Sequence, residues 1–390
     1  MAKHKLVLYL LFDGLLDTVI ESQVLMLARD IKLQNIADFE VWVVVWSRKL
    51  YKQAKAKQAD AERIANADIK IIRGIRPGIP FSGIINLILL YLNIYSRTSE
   101  FSHIHGRSDY AGMLAALLGK MTRILSIWDC RGNSQAEIIA SNPTSNIFGR
   151  MLLNIKILRA KTAWFIAAKY SDSASFVTKS LYEKYSHYLS HDNVLIIPCL
   201  GSSDIFNYKP ALRKEMRERL AINEHEEVFV YSGSLASYQC FDEMLECFQE
   251  IKRKNSNAKL LVLTPYIDSA IKKGSKKNIN GVIYKSAVLE DINNYLNVAD
   301  YAFMLREHND INSCAFPTKF IEYGLVGLPV IMNDSVPDCY DYAIKNKNLI
   351  EYSKNNIIFN ESYEREEISN NYKNTLTRKS FMNSYKRLYS

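Results

Sequence analysis

Residues that break regular structure are scarce in this chain, because its 390 residues include only 15 glycines and 9 prolines. That composition excludes a collagen-like or low-complexity protein. The six cysteines form no C-x-x-C pair and no cysteine–histidine cluster with zinc spacing, so neither a structural zinc site nor a redox dithiol is predicted. No apolar run reaches the ~20 residues that span a bilayer. We therefore expect a folded protein with free thiols in a reducing cytoplasm.

Two common nucleotide-binding motifs are also missing. No G-x-G-x-x-G follows a predicted strand, and Gly119-Lys120-Met121 lacks the hydroxyl residue and the upstream glycine of a P-loop. These absences argue against a dinucleotide oxidoreductase and a P-loop kinase. The 41 acidic residues are outnumbered by 50 lysines and arginines, which gives a formal net charge of +9. This excess suits an anionic substrate, an anionic membrane surface or nucleic acid, without choosing among them.

Short apolar runs alternate with stretches of helical periodicity, which predicts parallel sheets covered by helices. The predicted strands are 6–10, 41–45, 69–72, 103–105, 124–128, 175–177 and 194–197 in the first half, then 228–231, 260–263, 282–284, 301–305 and 330–332. Helices are predicted over 22–32 and 110–120. A connector follows Pro198. We predict two α/β domains, 1–198 and 199–373, with a terminal helix of about 374–390 that packs back on the first.

Two further features have a structural and a functional interpretation. The apolar stretch 84–95 is either a core helix or a helix that also touches a membrane surface. Basic runs occur at 48–57 and 272–277. They fit solvated helix faces, and they lack the interleaved aromatic residues of a single-strand nucleic-acid groove.

The segment 316–330 carries the most informative pattern. Pro317 is placed as the first residue of a short helix, Gly327 as its left-handed stop, and Pro329 before a strand. The open helix start, with the Thr318 and Lys319 amides and the Lys319 ammonium, suits a diphosphate. Glu322 lies a little over one turn later, where its carboxylate can accept both ribose hydroxyls. An ordinary capped helix with a solvated lysine and glutamate is the alternative.

Other polar groups follow predicted strands, where an α/β cleft opens. In the second half, Gly233 in Tyr231-Ser232-Gly233-Ser234 allows close approach of a ligand, and Ser234 adds a hydroxyl. In the first half these groups are Asp13-Gly14, His105-Gly106-Arg107-Ser108 and Asp129-Cys130-Arg131-Gly132 with Glu137. A buried Asp129–Arg131 ion pair and a structural His105 remain alternatives to a site.

With these residues in view, the chain resembles the bacterial glycosyltransferases of family 4, the retaining GT-B group that uses nucleotide-activated sugars. The resemblance covers most of the chain and rests on the order and spacing of short motifs. In the first half these are Phe12-Asp13-Gly14 with Glu21-Ser22-Gln23-Val24, His105-Gly106-Arg107-Ser108, and Asp129-Cys130-Arg131-Gly132 with Glu137. The others are Ile197-Pro198 through Gly201 to Asp204 and Phe206, Tyr231 to Leu235, and Pro317-Thr318-Lys319 to Glu322-Tyr323 with Gly327 and Pro329-Val330.

The resemblance implies an α/β GT-B fold of two Rossmann-like domains that face each other across a cleft. It implies a nucleotide-sugar site in the C-terminal domain, formed by Gly233, Ser234, Phe316, Thr318, Lys319 and Glu322. The acceptor side would be Asp13, Gly14, Arg107, Asp129, Arg131 and Glu137. A histidine of the N-terminal domain often contacts the donor sugar in this family, so His105 is assigned to positioning the sugar and not to a general base.

The chain departs from the family at two places. The first of the family's two glutamates falls on Cys314, whereas Glu322 matches the second. Sugar contacts are then expected from Asn312, Ser313 or the backbone near Phe316.

A basic pair that often follows the glycine-rich turn is replaced by Ser237, Tyr238 and Gln239. Lys319 and Arg306 are our candidates for the replacement charge. The resemblance implies no metal and no cofactor, in agreement with the lack of a D-x-D cluster near the proposed donor site.

The expected reaction is transfer of a sugar from a UDP- or GDP-sugar to a glycan or lipid-linked glycan in bacterial polysaccharide, capsule or lipopolysaccharide synthesis. The expected location is the cytoplasm, with contact to the inner face of the inner membrane as a further expectation. Nucleic acid is not an expected partner. Two alternatives remain: another GT-B activity, such as a sugar-nucleotide epimerase or a phosphorylase, and a non-catalytic basic protein that binds membrane lipid or nucleic acid.

Overall fold

The computed structural model describes residues 5–12, 14–15, 18–143, 146–353, 356–357, 359 and 363–390. The chain divides into two units. Unit 1 comprises Met1–Pro198 and Phe381–Ser390, and unit 2 comprises Cys199–Ser380. The return of the chain to unit 1 therefore begins at Phe381, a few residues later than the start predicted near residue 374.

Seven parallel strands form the sheet of unit 1 in the order β3-β2-β1-β4-β5-β6-β7. They are β1 (Leu6–Leu11), β2 (Asp38–Val45), β3 (Asp68–Arg73), β4 (Phe101–Arg107), β5 (Leu125–Cys130), β6 (Ser173–Phe176) and β7 (Val194–Ile196). The register sets Tyr9 of β1 beside His105 of β4, and Arg107 of β4 beside Asp129 of β5. Polar residues from three neighbouring strands are thereby brought together.

The helices of unit 1 cover both faces of this sheet. They are α1 (Thr18–Ile20), α2 (Met26–Leu33), α3 (Arg48–Ala65), α4 (Ser82–Ile94), α5 (Ser108–Thr122), α6 (Ser134–Ser141), α7 (Ile147–Tyr170), α8 (Lys179–Tyr185) and, after unit 2, α16 (Met382–Leu388). The strand order reverses after β3, and right-handed crossovers then put α2 and α3 on one face and α4, α5 and α7 on the other.

Successive side chains of β1 and β4 point to opposite faces of the unit 1 sheet, so that one face is apolar and the other carries polar residues. Leu8, Leu10 and Ile104 point to the face of α4, α5 and α7 and share one buried cluster with Leu90 and Ala163 of those helices. The residues between them in sequence point to the opposite face, where α16 packs. The polar cluster of unit 1 therefore lies under α16.

Unit 2 has a second seven-stranded sheet in the order β10-β9-β8-β11-β12-β13-β14, in which only the last pair is antiparallel. Its strands are β8 (Val228–Ser232), β9 (Lys259–Leu263), β10 (Val282–Lys285), β11 (Tyr301–Phe303), β12 (Val330–Met332), β13 (Leu349–Ser353) and β14 (Asn356–Ile357). Its helices are α9 (Pro210–Arg219), α10 (Phe241–Lys254), α11 (Ile267–Lys276), α12 (Leu289–Val298), α13 (Thr318–Leu325), α14 (Pro337–Lys345) and α15 (Arg365–Thr375).

The strands predicted from apolar runs are confirmed, although β2 begins three residues earlier than predicted and β11 ends two residues earlier. Two strands were not predicted, β13 and the two-residue β14. The sequence Leu-Ile-Glu-Tyr-Ser of β13 lies near the sheet edge with only Ile350 fully buried, so it lacks the continuous apolar run of a central strand. The predicted helix 22–32 begins as a π-helical turn, Glu21–Leu25, before α2.

Close packing of α13 against α15 gives a direct test of the fold of unit 2. Gly324 lies on the buried face of α13, and a Cβ there would overlap the ring of Tyr372. We expect Gly324→Ala to lower the free energy of unfolding by about 1–3 kcal/mol or more, the usual cost of overpacking. Urea unfolding followed by circular dichroism measures this change.

Gly83 of α4 is the matched control, since a Cβ there would meet only the flexible end of Met113 at 3.6 Å. Gly83→Ala should leave stability unchanged or raise it slightly, because alanine favours a helix over glycine by up to about 1 kcal/mol. Equal losses in the two variants would contradict the packing described here.

Candidate functional site

Two turns that the sequence indicated separately meet in unit 2, at the carboxyl ends of the neighbouring strands β8 and β11. Gly233 follows β8 with a φ of +147°, a backbone conformation that favours glycine. A Cβ at Gly233 would lie 2.9 Å from Gln239 Oε1 and 3.6 Å from Lys319 Nζ. The glycine therefore makes room for the Gln239 amide oxygen, which accepts a hydrogen bond from Lys319 of α13.

The start of α13 is held against this turn by a tyrosine. The helix begins at Thr318, so Pro317 is its N-cap with a ψ of 134° and not its first helical residue as predicted. The amide of Ser232 donates to Tyr323 Oη at 2.8 Å, which ties the helix to the end of β8. Gly327 has the predicted left-handed conformation, with a φ of +75°. Thr318 and Lys319 thus present their amides at a fixed, open helix end.

Lys319 is buried, with 7% of its surface exposed. Its Nζ donates to Gln239 Oε1 at 3.0 Å and lies 4.6 Å from the centre of the Tyr231 ring. Burial and the nearby Arg306 guanidinium hold the pKa of Lys319 well below its usual range. The alternative of a solvated lysine does not hold, because Gln239 and Tyr231 enclose the side chain.

Arg306, which follows β11, is the second buried cation. One of its terminal nitrogens lies 3.5 Å from Asn312 Oδ1, and the guanidinium carbon lies 5.5 Å from the centre of the Tyr238 ring. Its Nε is buried without a hydrogen-bond partner, and burial lowers its pKa. Asn312 is itself buried and donates to the backbone oxygens of Tyr238 and Glu307, so its amide orients this loop and is not open to a sugar.

The remaining predicted donor-site residues surround these cations. Ser234 Oγ accepts a hydrogen bond from Gln239 Nε2 at 2.7 Å. Phe316 is buried against Phe320, and Thr318 is half-buried. Glu322 lies one turn along α13, where burial raises the pKa of its carboxyl to about 7 and the Lys319 charge partly opposes that rise.

The chemistry of this cluster is that of an anion site. Within the described part of the chain, no carboxylate forms an ion pair with Lys319 or Arg306. Their polar partners are the neutral amides of Gln239 and Asn312. Two buried basic side chains that make no ion pair favour an external anion, because its charge offsets their desolvation. The amides at the start of α13 add donors on the same side.

The polar cluster of unit 1 has the opposite arrangement, an anion among cations. Asp129 accepts from Ser175 Oγ at 2.9 Å and lies 3.5 Å from an Arg131 nitrogen and 3.6 Å from nitrogens of Arg107 and His105. Burial alone would raise its pKa, but Arg131, His105 and Arg107 together hold it below its usual range. These predicted residues do come together, and the structure provides the buried Asp129–Arg131 pair that was one alternative.

His105 lies inside this cluster with 2% of its surface exposed. Its Nδ1 is 2.8 Å from Tyr389 Oη of the C-terminal segment, and its ring stacks on Tyr9 at 4.4 Å. This placement does not support direct contact between His105 and a sugar, because aromatic rings from β1 and the C-terminal segment cover it. The residue is placed to link β4 to the C-terminal segment.

The other residues assigned to the acceptor side are more scattered. Glu137 is exposed on α6, and its carboxylate lies beside Gly132, where a Cβ would be 2.9 Å from Oε1. Gly14 has a φ of +85° with open space around it. Asp13 lies outside the described residues.

Several residues important to these clusters were not singled out from the sequence. Gln239, Tyr231 and Tyr323 hold Lys319 and the β8 turn in unit 2, and Tyr389 covers His105 in unit 1. Gln239 could have been found, because it occupies one of the positions where a basic pair was expected. Tyr389 could not, since nothing in the local sequence pairs residue 389 with residue 105.

Neither a metal centre nor a membrane span emerges from the described residues. No group of three or more histidine, cysteine, aspartate or glutamate side chains there is placed to hold a metal ion. None of the helices in that part of the chain combines the length and apolarity needed to cross a bilayer.

Comparison with known proteins gives one family match and several similar structures. Residues 213–379 match the family model "Glycosyl transferases group 1". The chain is similar to Anabaena Alr3699/HepE in complex with UDP and glucose (11% identity, TM-score 0.60, 99% of this chain and 95% of that one). It is also similar to WaaG, a glycosyltransferase involved in lipopolysaccharide biosynthesis (13% identity, TM-score 0.58, 98% of this chain and 94% of that one). A third similar structure is a putative UDP-N-acetylglucosamine 2-epimerase from Listeria monocytogenes (11% identity, TM-score 0.51, 100% of this chain and 91% of that one). No curated protein matches the sequence.

The two α/β units have the GT-B fold of these glycosyltransferase structures. The family match lies in unit 2 and includes Lys319, Arg306 and Glu322. Together, the family match and the fold support a glycosyltransferase.

The raised pKa of Glu322 predicts a pH dependence of stability. A carboxyl whose folded-state pKa is above its unfolded value binds more protons when folded, so its effect on stability becomes unfavourable as pH rises from about 4.5 to about 7. The free energy of unfolding of Glu322→Gln should therefore equal that of the native protein at pH 4.5. At pH 8 it should be higher than the native value by on the order of 2 kcal/mol. Urea unfolding at both pH values gives the difference. A pH-independent effect of Glu322→Gln would show that its carboxyl is not perturbed.

Proposed function

We propose that this protein is a retaining glycosyltransferase that moves a sugar from a UDP- or GDP-sugar to a glycan or lipid-linked glycan in bacterial surface polysaccharide synthesis. The observation that carries the proposal is the buried pair Lys319 and Arg306, which forms no ion pair with a carboxylate among the described residues and lies beside the Gly233 turn. A diphosphate is an anion of suitable charge for two cations and a helix start.

Each residue of this site has a distinct task in the proposed reaction. Negative charge develops on the diphosphate as the sugar leaves, and preorganised cations lower the energy of that state. Arg306 is charged and oriented by Asn312. Burial lowers the pKa of Lys319, and a diphosphate beside its Nζ would raise that pKa again and favour the charged amine. Glu322 is placed one turn from the helix start to accept the ribose hydroxyls.

Several finer points belong to the same proposal. UDP is favoured as the nucleotide because the similar HepE structure contains UDP. A lipid-linked acceptor at the cytoplasmic face of the inner membrane is suggested by the likeness to WaaG and by the net charge of +9. We propose that no metal takes part, since Lys319 and Arg306 supply the positive charge, and activity should survive treatment with a chelator. In the proposed reaction the leaving phosphate helps to remove the proton from the acceptor hydroxyl, so His105 is not required as a base.

The likeness to an epimerase structure keeps one competing function in view. An epimerase would convert a nucleotide sugar without any acceptor, whereas a transferase requires one. Incubation with UDP- and GDP-sugars, followed by NMR of the sugar, separates the two: acceptor-free conversion to an epimer would replace our proposal. A non-catalytic binding protein would bind neither UDP nor GDP.

The first prediction of this proposal concerns nucleotide affinity. Lys319→Gln and Arg306→Gln should each weaken UDP or GDP binding by roughly 10- to 100-fold, because a hydrogen bond to a charged group contributes about 1.5–3 kcal/mol. Isothermal titration calorimetry measures this. Lys272→Gln, an exposed lysine of α11, should bind like the native protein. Unchanged affinity in both site variants would remove the basis of the proposal.

The depressed pKa of Lys319 leads to a second prediction, proton uptake on binding. A diphosphate next to Nζ favours the charged amine, so the pKa of Lys319 rises on binding and protons enter from solution at pH values between its free and bound pKa. Titration with UDP at several pH values from 8 to 10, in buffers of different ionisation enthalpy, should show net uptake within that range. The phosphates, with a last pKa of about 6, are already ionised there.

Matched variants assign the proton. Lys319→Gln should lose the uptake, whereas Glu322→Gln should keep it, since a carboxyl with a pKa of about 7 is mostly ionised at pH 8. Proton release in the native protein, or uptake that persists in Lys319→Gln, would show that Lys319 does not receive the proton.

A further inference from the structure

Helix α4 of unit 1 is apolar on the side that faces away from the core as well as on the side that packs. Its buried side includes Leu90 and Ile94, which join the main cluster of unit 1. Its outer side carries a stripe of exposed apolar residues at helical spacing: Phe81, Ile84, Ile85, Ile88, Leu92 and Tyr95. Leu92, for example, is 68% exposed. The helix contains no charged residue, so nothing polar interrupts this stripe beyond serine and asparagine.

The first half of α7 is a second exposed apolar surface. None of its residues from 147 to 159 is buried, whereas Ala160, Ala163 and Trp164 of the second half pack into the unit. The exposed large residues of this half are Ile147, Phe148, Met151, Leu152 and Leu158, with Ile147 at 88% exposure. This part of the helix stands away from the core with apolar side chains outward.

The two surfaces belong to one layer of unit 1. Leu90 of α4, Leu114 of α5 and Ala163 of α7 share a single buried cluster on the same face of the sheet. Together, residues 79–95 and 147–165 hold 13 of the 27 exposed large hydrophobic residues in the described part of the chain. Such a concentration on a protein surface marks an interaction site.

The two chain segments that carry these surfaces contain no acidic residue. No aspartate or glutamate occurs between Arg73 and Arg97 or from 138 to 171, whereas α7 alone carries five basic residues, among them Arg150, Lys156 and Lys161. A surface that receives solvent or an ordinary protein partner usually mixes both signs. Exposed apolar residues on segments that carry basic and no acidic side chains fit an anionic lipid surface, where long basic side chains reach the headgroups.

The backbone at the start of α4 supplies an independent observation. Phe81 has a φ of +61°, a left-handed conformation that residues with a side chain rarely adopt, and its ring is 76% exposed. Within unit 1 the ring gains little burial in return for this strain. Insertion of the ring into a bilayer interface would supply that burial.

We propose that the outer sides of α4 and of the first half of α7 form a docking surface for a membrane that contains anionic phospholipid. The inference deepens the proposed function and rests on its lipid-linked acceptor, which such docking would bring to unit 1. Binding to vesicles is measured without a nucleotide sugar, so failure of docking and failure of donor binding are seen in separate experiments.

The first test uses the full chain and vesicles of phosphatidylcholine with or without phosphatidylglycerol, in a co-sedimentation assay. The native protein should bind the mixed vesicles at least about tenfold more tightly than the neutral ones, and high salt should reduce this preference. No binding to the mixed vesicles would overturn the proposal.

Apolar contact is tested by the triple variant Ile84→Gln, Ile88→Gln and Leu92→Gln. It should bind mixed vesicles at least about tenfold more weakly, since three apolar side chains no longer enter the interface. The control is Leu33→Gln, Val288→Gln and Ile344→Gln, three similarly exposed residues on other helices or loops. Equal losses in the two triples would overturn the assignment to α4.

Charge is tested by Arg150→Gln, Lys156→Gln and Lys161→Gln on α7. The control, Lys49→Gln, Lys52→Gln and Lys57→Gln, removes three exposed charges from α3, on the opposite face of the same sheet. The α7 triple should lose at least about tenfold in affinity for mixed vesicles, and the α3 triple should lose much less.

The remaining occupant to consider is a second copy of this chain. Light scattering should show a monomer for both the native protein and the α4 triple. A native dimer that the α4 triple converts to a monomer would assign this surface to self-association and overturn the proposal. Normal UDP binding by every variant shows that unit 2 is still folded.

Discussion

Two basic side chains, Lys319 and Arg306, are buried in unit 2 without an ion pair, and this imposes the main physical constraint on that unit. Lys319 and Arg306 lose hydration without gaining a carboxylate, so the surrounding groups must hold them by weaker means. Gln239 and Tyr231 contact the lysine, and Asn312 and Tyr238 contact the arginine. Gly233 provides space by having no side chain, and Tyr323 fixes the helix that carries Lys319. The local geometry of unit 2 is therefore organised around a charge that an incoming anion would complete.

Unit 1 instead buries a carboxylate, and that carboxylate has partners within the protein. Its buried Asp129 has Arg107, Arg131 and His105 around it and the hydroxyl of Ser175 as a donor. An anion with this many partners is satisfied within the protein and stabilises it. This contrast distinguishes the two polar clusters that the sequence placed at strand ends: one is closed by internal partners, and the other is left with unmatched charge.

Much of this organisation was predictable from periodicity and turn residues. The parallel strands are apolar runs, and Gly233 and Gly327 mark positions that need a left-handed backbone. Sequence reasoning also identified Lys319, Arg306 and Glu322. It failed for the burial of Lys319 and the environment of His105, because both depend on side chains that are distant in sequence, Tyr231 and Gln239 in one case and Tyr389 in the other. Edge strand β13 was missed because it has no continuous apolar run.

The contact between His105 and Tyr389 has a consequence for the order in which the protein forms. Unit 1 is discontinuous in sequence, and the segment that covers its buried polar cluster is synthesised after all of unit 2. A growing chain can build the sheet of unit 1 early, since domains generally fold from the N-terminus during synthesis. It leaves His105 and Tyr9 uncovered until residue 389 emerges from the ribosome. The segment Phe381–Ser390 therefore packs onto unit 1 only after unit 2 has been synthesised.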